Sequence, residues 1–580
     1  MSVIPTVSAD GVGVVSAGQL NAYQISCYNV GVLRTVVGQT GMSVILQGTN
    51  VPNDGGQGNF YWDYTSTATD NNSTVIRPYG VIYGAWIRAV VSGSVIGDVS
   101  NATAVATGST ASRTLANRFA DALNVKDFGA VGDGITDDTA AIQAADTQAR
   151  SKGVALYFPG ATYAVSQLIV YSNSTWYGDG RNNTVIKQII GSNKDLIYGY
   201  NSDANWGSSS PSSFVVGWTI KSMTFDGNWN TGSGNTSGSG IAVYGCRPIM
   251  EDVFITNVAE YGLRTEYIDS GSGGFDTFTM EGYLSDIRID VCGKHGWWNN
   301  GPHDTITIGM VVVDAGQAAT NTYDGFYYDA QSTGRNIALH AWTRSTAARM
   351  RYALNLRPGA SHEFDGGCNF EGGYSACVGI FSQKNLFGST TRYYSAWNGV
   401  TVYLGLTATV NIIKGEIDGP GAGRPASIGI LLGSVAADFI ADNEIDVIIN
   451  NNEAGNIVWS LYSDGNNRIR GNCFNTTDAT FLGTPAPTDD VDVMFLSNGV
   501  TSHLNNRRQR TTISIGASAP ATWTFPIPFS TPPTVVFSIS SPSGAVTNPM
   551  WISNVYSTSV VIYNPNAVTA NLTIFADAAD

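Results

Sequence analysis

The chain has 580 residues, enough for several domains and a large buried core. Only 13% of residues are charged, and 30 Lys and Arg stand against 45 Asp and Glu, a net charge of −15. That balance argues against nucleic-acid binding through a basic surface, and an anionic partner has to meet a local basic patch. With 66 glycines and 11% aromatics, the composition is that of many short strands joined by turns. Cys27, Cys246, Cys292, Cys368, Cys377 and Cys473 are scattered without a CxxC pair, and read as buried thiols rather than disulfides or metal ligands. No cofactor or metal is expected. The start, MSVIPTVSAD, lacks the pattern of a signal peptide, and no apolar run approaches ~18 residues. The expectation is synthesis in a reducing cytoplasm, exit by another route, and no membrane insertion.

Residues 1–95 alternate apolar and polar positions between Gly, Asn and Pro turns, as in VLRTVVGQTGMSVILQGT and GAWIRAV, and read as a small all-β module. Residues 96–123 are rich in small residues up to Thr114; Leu115, Phe119 and Leu123 then take helical spacing, so a linker and a neck helix are expected. In NVKDFGAVGDGITDDTAAIQAADTQARSKG, residues 124–153, Val125 to Phe128 reads as a strand and Thr136 as the N-cap of a helix. Asp137 and Asp138 fall in its first turn, Ala141, Ile142, Ala145 and Ala149 form its apolar stripe, and Gly153 ends it. One short helix before many strands suggests the cap of a β-solenoid.

From residue 154 to about 500 a small residue followed by a short alternating strand recurs, at Gly240, Gly262, Gly296, Gly325, Ala353, Gly379, Gly399, Gly429 and Gly455, in steps of 20 to 34 residues. Repeats of this length with no helix between them favour a parallel β-helix over a TIM or doubly wound fold. The residue after each small residue is expected to point inward: Ile241, Leu263, Trp297, Phe326, Leu354, Ile380, Val400 and Ile430. Two outward columns follow. One reads Ala242, Arg264, Trp298, Tyr327, Asn355, Phe381; the other reads Tyr244, Glu266, Asn300, Asp329, Arg357, Gln383. The last segment, residues 507–580, alternates over about six strands broken by Pro, Asn and Gly, and reads as a β-sandwich after a hinge at RRQR.

The pieces NVKDFGAVGDGITDDTAAIQAA, LYFPGATYAV and TWYGDG, about 55 residues, resemble the opening of the pectate-lyase-like right-handed parallel β-helix of phage tailspikes and capsule depolymerases. The resemblance implies an all-β chain with a short capping helix, a particle-binding β module at 1–95, a neck at 96–123, the β-helix at 124–506, and a C-terminal β-sandwich at 507–580 that trimerises or binds glycan. It also implies a homotrimer on a virion tail, joined to a tail or baseplate protein through the N-terminal module, that recognises and depolymerises a bacterial surface polysaccharide.

The outward columns supply the candidate site. Rings stack on apolar faces of sugars, while amides and Arg hold hydroxyls or carboxylates. Glu266 and Asp329 stand two coils apart in one column, so their backbones lie ~9.6 Å apart and their carboxyls can approach the ~6.5–9.5 Å of an inverting glycosidase. Glu266 is the expected acid, kept protonated by desolvation beside Trp298, and Asp329 the base, kept ionised by Arg357. Arg264, Trp298, Asn300, Tyr327 and Arg357 are the expected substrate contacts, Trp298 as a stacking platform. Against this stands the reading that outward carboxylates are merely solvated and that Glu266 pairs with Arg264. Hydrolysis is the first expectation; a lyase in which Tyr327 or a His removes the C5 proton beside a uronic acid is the second, and a non-enzymatic receptor-binding fibre the third. Asp269 and Asp276 in a Gly-rich loop, the acidic group Glu363, Asp365 and Glu371, and the dispersed His295, His303, His340 and His362 are weaker candidates.

Overall fold

The computed structural model describes residues 25–89, 102–199, 215–229, 234–266, 282–301, 303–330, 332–344, 350–394, 400–418, 428–434, 437–450, 464–474, 489–497, 500–505, 508–525, 532–539, 546–566 and 568–577. Asp269, Asp276, Gly399 and Gly455 lie outside them. The chain forms two compact units, Met1–Arg118 and Phe119–Asp580.

In the first unit five strands lie in the spatial order Ile25–Cys27, Ser43–Leu46, Gly58–Asp63, Ala85–Arg88, Val75–Ile76. Their alternation buries Val44, Leu46, Phe60, Ile76 and Trp86 on one face, with Leu33 from a short helix beneath them. Where a linker was expected, Thr103–Val105 and Ser112–Thr114 pair as a hairpin. The neck helix is a single turn, Leu115–Phe119.

In the second unit Ala122–Asn124 is the strand that pairs with Ala155–Phe158, and Val125–Phe128, expected extended, is a 3-10 turn closed by Gly129 at φ 97°. The capping helix is Thr139–Lys152, two residues later than the Thr136 cap requires. Two aspartates account for the shift by competing for the preceding backbone. Asp133 accepts from the Ile135 and Thr136 amides, while Asp138 accepts from Val131 and Gly132, so both carboxylates fix the glycine loop instead of a first helical turn. The stripe is as expected: Ile142, Ala145 and Ala149 are buried and Gly153 ends the helix at φ 67°.

The rest is a parallel β-helix. A representative coil has three strands, Trp297–Asn300, Thr305–Ile308 and Val311–Val313, each paired in parallel with its counterparts in the coils before and after. One ladder aligns Ile241, Leu263, Trp297, Phe326, Leu354, Val378, Val402 and Ile430, all at 1% exposure or less. Ile380 does point inward, but it pairs with Leu356, two residues further along, and Val400 pairs with Ala376 and is only half-buried. The small residue has a steric cause. A Cβ on Gly262 would lie 2.3 Å from Ile289 Cγ2 and 2.7 Å from the Gly296 carbonyl, and Gly240, Gly296 and Gly325 repeat the same conflict. Further along, Asn385, Asn411, Asn443 and Asn467 stack inside the coils, each accepting at Oδ1 from the backbone of the residue before it in the stack, with Asp489 accepting last.

Residues 508–577 form two sheets around Ile515, Trp523, Phe525, Val560, Ile562, Leu572 and Ile574. One holds Arg508–Ile515, Ala570–Asp577 and Thr534–Ile539; the other holds Pro520–Thr524, Ser559–Tyr563 and Trp551–Val555. This is the expected sandwich. The five described cysteine side chains are buried, and burial pushes the Cys27 thiol up to about 11 and Cys292 to about 12, which makes those two inert packing groups. Among the described residues no helix is long and apolar enough to cross a membrane.

Candidate functional site

The strand ladder sets the candidate residues side by side. Register joins Ala242, Arg264, Trp298, Tyr327 and Asn355 in one outward column, and Tyr244, Glu266 and Asn300 in the next. Asp329 and Arg357 continue the second column, because the Asp329 amide bonds Asn299 O at 2.8 Å and the Arg357 amide bonds Tyr328 O at 2.9 Å. Phe381 leaves the first column: Gly379 takes that place beside Asn355, and the Phe381 amide bonds Leu356 O, beside Arg357. The slip comes from taking Gly379 as the small residue, where the structure uses Cys377.

The face is less open than alternation alone suggests. Ala242, Tyr244, Glu266, Asn300 and Asn355 are buried, and Asp329, Tyr327, Arg357 and Trp298 are half-buried. Glu266 is held by Arg264 NH2 at 3.2 Å and by Asn300 Nδ2 at 3.4 Å, so the expected neighbour Trp298 is not its partner. Arg264 also stacks on Trp298 at 4.2 Å, covering one face of the ring intended as a platform. Asp329 and Arg357 form no ion pair among the described residues. Arg357 lies 6.0 Å from the Phe381 ring, and Asp329 accepts from the Ala330 amide. Both nonetheless act on Tyr327. Burial raises its phenol, the Asp329 charge adds to the rise, and Arg357 opposes it.

Alternation did not identify a third column, two residues before each inward residue: Tyr261, His295, Asp324 and Tyr352. The amides of Gly262, Gly296 and Gly325 bond the carbonyls of His295, Asp324 and Tyr352, which locks these residues beside the first column. His295 stacks on Tyr327 at 4.3 Å and on Tyr261 at 5.7 Å, and Tyr261 lies 5.2 Å from Trp298. Asp324 is fully buried, with Arg351 Nε and NH2 at 3.0 and 2.6 Å, the Tyr352 amide at 3.1 Å and Asn355 Nδ2 at 2.9 Å. The repeat itself carried the signal, since applying the register to the residue before each glycine finds this column.

Nδ1 of His295 accepts from the Asp324 amide at 2.8 Å, so the neutral ring carries its proton on Nε2 and has no lone pair left for a base. Burial lowers His295 to about 4 and His362, which stacks on Tyr328, to about 3. The unfolded chain binds these protons near pH 6.5, so stability is retained above that value and lost as the pH falls from about 6.5 towards 4, by up to about 1.4 kcal/mol per unit for each group. The expected melting temperature therefore drops between pH 7 and 5, and His295→Gln flattens the profile. An unchanged slope in that variant contradicts the assignment.

The remaining candidates lie elsewhere. His340 bonds Glu371 at 3.2 Å, and Glu363 and Asp365 flank Arg335 at 3.9 Å each. Asp304, Ile306, Thr333, Arg335, Glu363 and Lys384 line an open cavity of about 480 Å³ on another ladder of the β-helix. No cluster of three metal-ligating side chains occurs among the described residues.

Residues 122–347 match the family described as rhamnogalacturonase A/epimerase, pectate lyase-like, and residues 26–92 match the phage tail protein small four-stranded β-sheet domain. Mannuronan C5-epimerase AlgE5 of Azotobacter vinelandii is 38% identical over 226 residues, 36% of this chain and 18% of the relative. Alginate lyase 7 of the same organism is 39% identical over 217 residues, 36% of this chain and 21% of the relative. The pre-neck appendage protein of Bacillus phage phi29 is 30% identical over 188 residues, 31% of this chain and 21% of the relative. The chain thus spans about a fifth of the length of these relatives. The fold agrees with these matches: the parallel β-helix contains the stretch 122–347 that is similar to the pectate-lyase-like family, and the five-stranded first unit contains the stretch 26–92 that is similar to the phage-tail β-sheet domain.

Proposed function

We propose that this protein is a phage tailspike that binds and cleaves an acidic polysaccharide of the bacterial surface along the column of Trp298, Tyr327, Asp329 and Arg357. The observation that carries the proposal is Arg357, a half-buried guanidinium with no ion-pair partner among the described residues, one rung from Asp329 and acting electrostatically on Tyr327. A uronate carboxylate supplies the missing partner. The relatives named for mannuronan and alginate support an acidic glycan, and the phage appendage relative supports a virion location. In this reading the N-terminal module joins a tail or baseplate protein, and the working unit is a homotrimer.

β-Elimination uses the residues as they stand. Arg357 pairs with the uronate carboxylate, which draws charge from C5. Asp329 takes the C5 proton, the electron pair forms the C4–C5 double bond, and the C4–O bond breaks. The leaving oxygen takes the proton of Tyr327, whose raised phenol suits it to donate rather than to serve as the base. Hydrolysis, with Glu266 as acid and Asp329 as base, is favoured by their places two rungs apart in one column, but Glu266 must first leave Arg264 and Asn300. Product analysis separates the two. Elimination gives near-ultraviolet absorbance from the unsaturated sugar and is lost in Tyr327→Phe. Reducing ends without absorbance, retained in Tyr327→Phe and lost in Glu266→Gln, support hydrolysis instead. A glycan bound and never cut makes the protein an adhesive spike.

A further inference from the structure

Among the described residues, a buried polar atom on each side of Tyr327 has no hydrogen-bond partner. The first is Oδ1 of Asn355, a fully buried side chain. Its Nδ2 donates to Asp324 Oδ2 at 2.9 Å, and Asp324 is itself fixed by Arg351 and the Tyr352 amide. A carboxylate only accepts, so the amide nitrogen must face Asp324 and Oδ1 must face away from it. The second is the indole N–H of Trp298, also buried and unpaired. Register places Trp298 and Asn355 one rung either side of Tyr327, about 9.6 Å apart along the solenoid axis at about 4.8 Å per rung. Buried polar groups are nearly always paired. An orphan acceptor and an orphan donor that bracket the proposed proton donor call for partners from outside the chain.

The next residue in the column past Asn355 is Gly379. Phe381 Cε2 and Tyr352 Cε1 lie 2.8 and 3.2 Å from the position its Cβ would take, so two aromatic rings rather than backbone close this side. Access to Asn355 from this side requires one of these rings to turn aside.

We infer that Asn355 and Trp298 determine which sugars the site accepts. Asn355 Oδ1 accepts from a hydroxyl or acetamido N–H of the unit on the C-terminal side of Tyr327. The Trp298 indole donates to an oxygen of the unit on the other side. The glycan then runs along the solenoid axis, and a polymer lacking the donor at the Asn355 position is rejected because the acceptor stays unpaired. This rests on the reading of the face as a glycan site.

The test starts from an array of purified bacterial capsular and O-antigen polysaccharides probed with the full chain, followed by calorimetric titration of the bound glycan into wild type, Asn355→Leu and Trp298→Phe. Each variant is expected to lose roughly tenfold or more in affinity. Asn355→Leu removes the unpaired Oδ1 but also the Nδ2 bond to Asp324, so a modest fall in melting temperature is expected beside the loss of affinity. Trp298→Phe keeps a ring and deletes the N–H, and it carries the test alone if Asn355→Leu does not fold. Lowered melting with full affinity makes both groups structural and overturns the inference. Wild-type affinity in both variants overturns the inference while the glycan reading stands. Failure of wild type to bind any glycan on the array removes both.

Discussion

Arg351→Met is expected to destabilise the β-helix by about 3–5 kcal/mol, the cost of leaving a buried carboxylate without its cation. Asp324 has no exposed side-chain surface, and Arg351 supplies two of its short contacts. The Tyr352 amide and Asn355 Nδ2 remain in the variant, but neither carries charge. Urea denaturation measures the loss. The double variant Asp324→Asn with Arg351→Met should recover most of it, since replacing both partners removes the uncompensated charge. A loss below about 1 kcal/mol in the single variant shows that the pair is solvated and that this face is not a dry, ordered surface. The pair matters for function because Asp324 orients Asn355, and its backbone N–H fixes the tautomer of His295 beneath Tyr327.

Gly296→Val should be at least as damaging, by about 3 kcal/mol or more. A Cβ at Gly296 lies 2.3 Å from Val312 Cγ1 and 2.6 Å from the Gly325 carbonyl. The valine can change rotamer, but the carbonyl accepts the Trp297 amide at 2.9 Å and cannot move without opening the ladder. Gly160→Ala is the control. Its nearest atoms lie 3.5 Å from the added carbon, and the expected change is within about 0.5 kcal/mol. Thermal melting of the two variants checks both values. Near-wild-type melting of Gly296→Val contradicts the coil geometry, since no other residue in that column can then be required to be small.

The same glycine explains why the solenoid was legible in the sequence. Each small residue marks where one coil touches the next, so its recurrence gave the repeat, and alternation from it gave the inward stack from Ile241 to Leu354. Alternation could not distinguish facing outward from being exposed. Glu266 and Asn355 face outward yet are buried, because Arg264, Trp298, Tyr327 and Tyr352 are large enough to fill the spaces between rungs. Past Leu354 the register was lost by two residues, since the small position passes from glycine to Cys377 while Gly379 falls nearby as a decoy. The cap was misplaced for a different reason. Thr136 and Asp138 look like helix-start residues, but the Thr136 amide is committed to Asp133 and the Asp138 carboxylate to the loop amides. The column of His295 and Asp324 needed only the rung rule carried back two residues, whereas the ion pair with Arg351 depends on a side-chain conformation that spacing does not encode.

The most direct test of the account compares wild type with Asp329→Asn on a polysaccharide that wild type binds, following binding and product release together. Asp329 carries its role under either cleavage chemistry, and among the described residues it belongs to no ion pair. The account predicts unchanged glycan affinity and melting temperature, with product formation falling by about a hundredfold or more. Turnover of Asp329→Asn at the wild-type rate would contradict it, and would move the reaction off the face formed by Trp298, Tyr327 and Arg357.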